Sequence, residues 1–272
     1  MFEFVKSELE KFNIDSVSCL SLDECKISRS YLLEKHQIES GSVIIFAVPY
    51  LTKTSFGERN ISSYAVSRDY HLFFASLFDE LLSKLKNKFP EHKFVAFTDH
   101  SPIDEINAAA KSGLGVIGKN HLLITEKYSS YIFLGEIITD AVLPSFATEI
   151  GSCLNCGKCM DLCPANIYGV ECISAITQKK GELSEKEKEI IRATSCAWGC
   201  DKCQEICPHT IKAIKNETIF SRVEFFNENL TPNIKSTDID EMSKGDFSSR
   251  AYSWRGKNTI KRNLEILERK EI

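Results

Sequence analysis

Two stretches constrain this chain more than anything else in it: CLNCGKCMDLCP at 153–164 and CDKCQEICP at 200–208. The first spaces its cysteines as C-x2-C-x2-C-x3-C followed by proline, through Cys153, Cys156, Cys159, Cys163 and Pro164. The second repeats the latter part, C-x2-C-x3-C-P, through Cys200, Cys203, Cys207 and Pro208. Nine of the eleven cysteines lie between 153 and 207. Cysteines packed so densely ligate metal in a reducing compartment, where disulfides do not persist. The run with its trailing proline is that of bacterial two-cluster ferredoxins, in which the fourth cysteine serves the other cluster. Exchanging fourth ligands gives one set of Cys153, Cys156, Cys159 and Cys207. The other set holds Cys163, Cys200 and Cys203, completed by either Cys172 or Cys196. Zinc also takes C-x2-C pairs, but four cysteines within 153–163 and a proline behind them favour iron–sulfur clusters. The spacing Cys196-x3-Cys200-x2-Cys203 also matches enzymes that cleave S-adenosylmethionine. With Cys207-Pro208 directly behind, that match is read as coincidence. Cys19 and Cys25 have no partner pattern and read as ordinary buried thiols.

The rest of the composition is unremarkable for a globular chain of 272 residues, 43% hydrophobic and 26% charged. A net charge of −4 argues against broad nonspecific affinity for nucleic acid. No apolar run approaches the ~18–20 residues of a membrane-spanning helix. The opening MFEFVKSELEKF reads as an amphipathic helix and not as a signal peptide, so a cytoplasmic protein without membrane association is expected.

Three zones are expected. Residues 1–150 read as an α/β domain, with strands at VIIFAVPY (43–50) and KFVAFTD (93–99), a long helix over about 61–88, and a helix at 102–113. HLLITEKY and SYIFLGEIIT follow as two more strands. Residues 151–212 form the cysteine zone, interrupted by a charged helix at 183–195. Residues 213–272 form a polar tail, helical over 259–270.

KSGLGVIGKN (111–120) spells GxGxxG through Gly113, Gly115 and Gly118, and nearly spells a phosphate loop. A dinucleotide fingerprint follows a strand and opens a helix, so that the helix N-terminus meets the phosphates. Here a helix precedes the glycines and a strand follows them. Asn120 also stands where a phosphate loop needs Ser or Thr. The loop therefore reads as a helix stop and tight turn, or as a low-bulk surface for a large planar ligand.

Taken together, ISSYAVSRDYH (61–71), FTDHSPIDEINAAAKSGLGVIGKNHLLI (97–124), YIFLGEIITD (131–140), the cysteine zone and RGKNTIKRN (255–263) resemble the epoxyqueuosine reductase family. The resemblance implies an α+β fold: a nitroreductase-like cobalamin-binding domain (1–150), a ferredoxin-like domain with two [4Fe-4S] clusters (151–212) and a short helical tail (213–272). That tail would be a remnant of the family's helical repeats. It implies reduction of epoxyqueuosine to queuosine in tRNA, with electrons passing through the clusters to cobalamin. An anticodon stem-loop would be the substrate and a flavodoxin or ferredoxin the external donor.

By the same resemblance Cys172 is the missing fourth ligand and Cys196 an extra thiol. Gly115, Gly118, Asn120 and His121 would border the corrin, and Asp99 would donate the proton. Protonation of Asp99 at neutral pH would require burial or a nearby negative charge. His100 is expected to face away from the reaction. Tyr70 and His71 read as helix packing, and Asp104 and Glu105 as acids favouring a helix dipole. Arg250, Arg255, Lys257, Lys261 and Arg262 could form a phosphate-contacting face or a solvated one. Two competing expectations are an electron-transfer protein without cobalamin, and a cobalamin-dependent reductase of a substrate other than tRNA.

Overall fold

The structure is a computed structural model that describes residues 1–269. The last residue of the expected tail helix, Lys270, lies outside them. Contacts group the chain into two compact units. The first comprises residues 1–49, 71–155 and 213–223, and the second 50–70, 156–212 and 224–272. The units interleave along the chain, whereas the expected zones were contiguous because they were drawn on motifs.

The first unit is built on a four-stranded sheet of order β1-β2-β6-β3. Its strands are β1 (Ser16–Ser21), β2 (Ser42–Pro49), β3 (Phe94–Phe97) and β6 (Ile132–Thr139). Every pairing is antiparallel, so the unit is α+β and not a βαβ array. Central β2 is buried at all eight positions, which explains its uninterrupted apolar run. Helix α1 (Tyr70–Lys88) supplies Phe74 and Phe78 against Phe46 of β2. Gly135 of β6 is required there, because a Cβ would stand 2.5 Å from Phe74 Cε1 and 2.7 Å from Phe46 Cε2. Helix α2 (Glu105–Lys111) places Ala108, Ala109 and Ala110 in a core with Val43, Ile45, Val95 and Ile138. Small β4 (Val116–Ile117) and β5 (Leu123–Ile124) form a separate antiparallel pair.

Several expected elements are shorter than their patterns, two of them markedly. The strand HLLITEKY contracts to Leu123–Ile124, because Thr125 closes a turn onto Ser129. The helix expected from 61 starts only at Tyr70. Residues 63–65 instead form one 3-10 turn in the second unit, where Ser62 and Ser63 bond to Asp201.

The second unit contains a chain of short helices: α3 (Lys158–Asp161), α4 (Pro164–Tyr168), α5 (Ile173–Thr177), α6 (Glu185–Thr194), α7 (Lys202–Glu205) and the start of α8 (Pro208–Lys215). The closing helix α9 (Lys257–Glu268) buries Ile260, Asn263 and Leu264. Asn263 is fully buried and donates its amide protons to the carbonyls of Thr177 and Ala197, at 2.7 and 2.8 Å. It thereby fixes the backbone after α5 and before Cys200. No described helix is long and apolar enough to cross a membrane.

Candidate active site and cysteine centre

Asp99 follows β3 at a backbone angle of φ 60°, with the His100 N–H donating to the Thr98 carbonyl at 2.6 Å. Positive φ with a bond spanning two residues defines a strained γ-turn, which persists only where its surroundings enforce it. Those surroundings are identifiable. Thr98 Oγ1 donates to the Leu134 carbonyl at 2.8 Å, on one side of the turn. On the other side, the Ser28 and Arg29 amides donate to the Pro102 carbonyl at 2.8 and 3.1 Å, and Arg29 Nη1 donates to the Ser101 carbonyl at 2.9 Å. The Asp99 N–H itself donates to Glu105 Oε1 at 3.1 Å.

The Asp99 side chain is 57% exposed, with His71 Nε2 at 3.5 Å from Oδ2. Burial is therefore not what would keep a proton on it. Two carboxyls lie close by instead, those of Glu105 and Glu136. Glu136 projects from β6 on the face covered by α2, level with Ile45 and Phe97. It is fully buried, and neither carboxyl oxygen has a partner at hydrogen-bond geometry. Burial holds its pKa well above the usual carboxylate range, and the adjacent Glu105 charge pushes in the same direction. Glu105 is also raised, first by burial and then by the charge of Asp99.

His71 and Glu105 thus do more than was expected of them, while Asp104 and His100 keep their expected places. Glu105, read as a dipole-favouring acid, caps the Asp99 turn, while Asp104 is the actual N-cap of α2, accepting from Asn107 N at 3.2 Å. His71, read as packing, is more than half exposed and faces Asp99. His100 turns to Tyr31, with Nε2 at 2.9 Å from the phenol oxygen. Glu136 was overlooked altogether; its signal was a lone acid inside the apolar run IFLGEII.

The glycine loop is explained by its own hairpin. Gly113 sits at φ 80° just past α2. A Cβ on Gly115 would meet the Ile124 carbonyl oxygen at 2.5 Å, and one on Gly118 would collide with the Asn120 side chain. The space left by those two missing side chains is filled by the chain itself. Asn120 Oδ1 accepts from Leu122 N at 3.4 Å, while His121 is exposed at φ 63°. Of the four residues expected beside a corrin, His121 has the most accessible side chain.

In the cysteine zone, KCMDLCP and KCQEICP fold as two copies of one device. In the first, Met160 N and Asp161 N donate to the Gly157 carbonyl, Cys163 N to Met160, and Ile167 N to Cys163. In the second, Gln204 N and Glu205 N donate to Asp201, Cys207 N to Gln204, and Ile211 N to Cys207. The copies pack together through α3 and α7. Cys163 and Cys207 each stand immediately before a proline that opens a helix, and Cys172 is the N-cap of α5. Amides at such starts lack intrahelical partners and favour a nearby anion. Asp201 anchors the second copy at 4% exposure. It accepts from Ser62 Oγ, Ser63 N, Arg59 Nη2 and Gln204 Nε2.

All eleven cysteines are without disulfides. Among the described residues no three His, Cys, Asp or Glu side chains gather tightly enough for a single metal ion. Burial pushes the Cys200 and Cys196 thiols up to about 12. Cys196 Sγ lies 3.3 Å from the Trp198 carbonyl and 3.4 Å from that of Gly199.

Fold and site together define an α+β protein with a doubled cysteine motif and an acid-lined turn. The family model described as "Epoxyqueuosine reductase QueG, DUF1730" matches residues 33–100. Among curated proteins, the epoxyqueuosine reductase of Bacillus anthracis is 30% identical over 242 residues, covering 82% of this chain and 62% of that protein. The enzyme of Lactococcus garvieae is 29% identical over 221 residues, covering 78% of this chain and 62% of its own length. The structure of epoxyqueuosine reductase from Streptococcus thermophilus superposes with a TM-score of 0.77 at 22% identity, over 97% of this chain and 80% of that one. Another epoxyqueuosine reductase, solved with an epoxyqueuosine-modified tRNA-Tyr stem loop, superposes with a TM-score of 0.73 at 22% identity, over 98% and 81% of the two chains. The chain belongs to the epoxyqueuosine reductase family. It spans about three-fifths, 62%, of the length of those two curated relatives.

Proposed function

We propose that this protein reduces epoxyqueuosine to queuosine in tRNA, acting in the cytoplasm on an anticodon stem-loop. The observation that carries this reading is Asp99, held outward on a strained turn with its carboxyl accessible and its amide fixed. A proton donor for an epoxide oxygen requires that placement. The reaction removes oxygen from a cyclopentane epoxide to leave an alkene, which consumes two electrons and two protons and releases water.

Residues 1–150 are assigned to cobalamin binding, with Gly115, Gly118, Asn120 and His121 bordering the corrin. Residues 151–212 are assigned to two [4Fe-4S] clusters, and 213–272 to a helical tail. Cys153, Cys156, Cys159 and Cys207 would hold one cluster, and Cys163, Cys172, Cys200 and Cys203 the other. When bound, the clusters supply single electrons and cobalamin a low-valent cobalt nucleophile and reductant. The chain's own residues do the rest. Asp99 delivers a proton to the epoxide oxygen, His71 lies beside it to exchange that proton with solvent, and paired cysteines hold the electron entry. A flavodoxin or ferredoxin is the proposed donor.

The test is incubation of the iron- and cobalamin-reconstituted protein with an epoxyqueuosine-bearing stem-loop and a chemical reductant. Mass spectrometry of the nucleosides is expected to show queuosine. Unchanged epoxyqueuosine with both cofactors retained would refute the reading.

A further inference from the structure

Glu136 presents a specific difficulty. A fully buried carboxyl whose oxygens make no well-formed hydrogen bond is costly to ionise. Its polar neighbours are the Glu105 carboxyl, the Ser101 hydroxyl and the charge of Asp99. Glu105 is differently placed: it is half-buried, and one oxygen already accepts the Asp99 N–H. Two adjacent carboxyls settle by sharing a proton, the buried one taking the hydrogen.

We propose that Glu105 and Glu136 are positioning residues for Asp99: the buried Glu136 keeps its proton and turns it toward Glu105, whose carboxylate then braces the amide of the strained turn. The inference rests on Asp99 being the proton donor of the reading above.

The pair explains three observations jointly. It gives the orphaned Glu136 oxygens a role, since a proton on one of them is the donor that geometry otherwise lacks. It explains why the first residue of α2 reaches back to the Asp99 amide rather than out to solvent. It also keeps one negative charge, and not two, beneath Asp99. The surrounding titratable groups are consistent with this. Arg29 favours the charged form of Glu105. Cys25, whose thiol burial pushes up to about 12, stays neutral beside Glu136, with Lys111 nearby.

The sign of the pH effect follows. The folded state holds the Glu136 proton more tightly than the unfolded chain, where the ordinary value is 4.5. Its contribution is therefore full below that pH and declines as pH rises towards the raised folded value. Glu136→Gln, which cannot ionise, should gain thermal stability relative to the parent as pH climbs above about 4.5.

The test compares the full chain with Glu136→Gln and Glu105→Ala. At neutral pH the infrared C=O stretch of a protonated carboxylic acid is expected in the parent and absent from Glu136→Gln. The Asp99 amide is expected to exchange with deuterium about tenfold faster or more in Glu105→Ala. Turnover should fall about tenfold or more in Glu105→Ala, with KM for the stem-loop nearly unchanged, because binding is intact and the donor is misplaced. No protonated carboxyl in the parent would overturn the proposal. So would a band that survives Glu136→Gln, or an Asp99 amide indifferent to Glu105→Ala. If the infrared and exchange results hold while the parent shows no turnover, the functional reading fails and the brace on Asp99 stands.

Discussion

Arg59 Nη2 and Asp201 Oδ2 lie 3.0 Å apart with side-chain exposures of only 10% and 2%, a buried ion pair at the foot of the second cysteine copy. Removing one partner of such a pair leaves the other charged and desolvated. Asp201→Ala is expected to destabilise the second unit by about 3–5 kcal/mol. Urea denaturation followed by tryptophan fluorescence reads this directly, since Trp198 is fully buried in that unit. A shift comparable to an exposed-pair mutant such as Lys261→Ala would show that Asp201 does not anchor the copy.

Asp99→Asn should leave the fold and iron content intact, because the turn is held by backbone and neighbouring groups rather than by the carboxyl. Turnover of the stem-loop should fall about 100-fold or more, the usual contribution of a general acid. Single-turnover kinetics check this, and a rate within threefold of the parent would remove Asp99 from the chemistry.

The two candidates for the last cluster ligand are separable. Cys172 is exposed at the N-cap of α5, whereas the Cys196 sulfur sits against two carbonyls. Cys196→Ser should retain the full iron and sulfide content after anaerobic reconstitution. Cys172→Ser should lose about half of it, as one cluster of two fails to assemble. The reverse pattern would exchange their assignments.

Helix α6 begins with a capping box in which Ser184 Oγ accepts from Glu187 N while Glu187 Oε2 accepts from Ser184 N, and Lys179 adds an ion pair at 2.6 Å. The Lys179 ammonium and the Ser184 amide hold the Glu187 pKa down to about 2. A depressed carboxyl contributes stability above its unfolded value of 4.5 and loses it as pH falls toward the folded value. Glu187→Gln should therefore melt below the parent at pH 7, with the gap closing between pH 4.5 and about 2 in a calorimetric series.

Much of the cysteine zone was legible, because spacing and a trailing proline describe local geometry that needs no distant contact. The charged helix expected at 183–195 was legible as well, and spans Glu185–Thr194. What escaped the sequence depends on partners far along the chain. Residues 61–69 carry a helical pattern, yet Ser62 and Ser63 are drawn out of helix by Asp201. The antiparallel sheet could not be read from strand runs alone, since pairing β2 with β6 joins residues on either side of α1 and α2. The Asp99 turn was invisible because no local residue demands positive φ there; Leu134, Glu105 and Arg29 impose it together. Glu136 could have been noticed as an acid amid apolar neighbours, but only its burial reveals the consequence.

Because residues 50–70 belong with 156–212 and 224–272, no single cut separates the units. On a ribosome, Ser62 and Ser63 emerge long before Asp201, and the Asn263 clasp comes later still. The early segment must wait, solvated, through most of translation, and any attempt to produce the sulfur-rich part alone from residue 151 onward would omit its own floor.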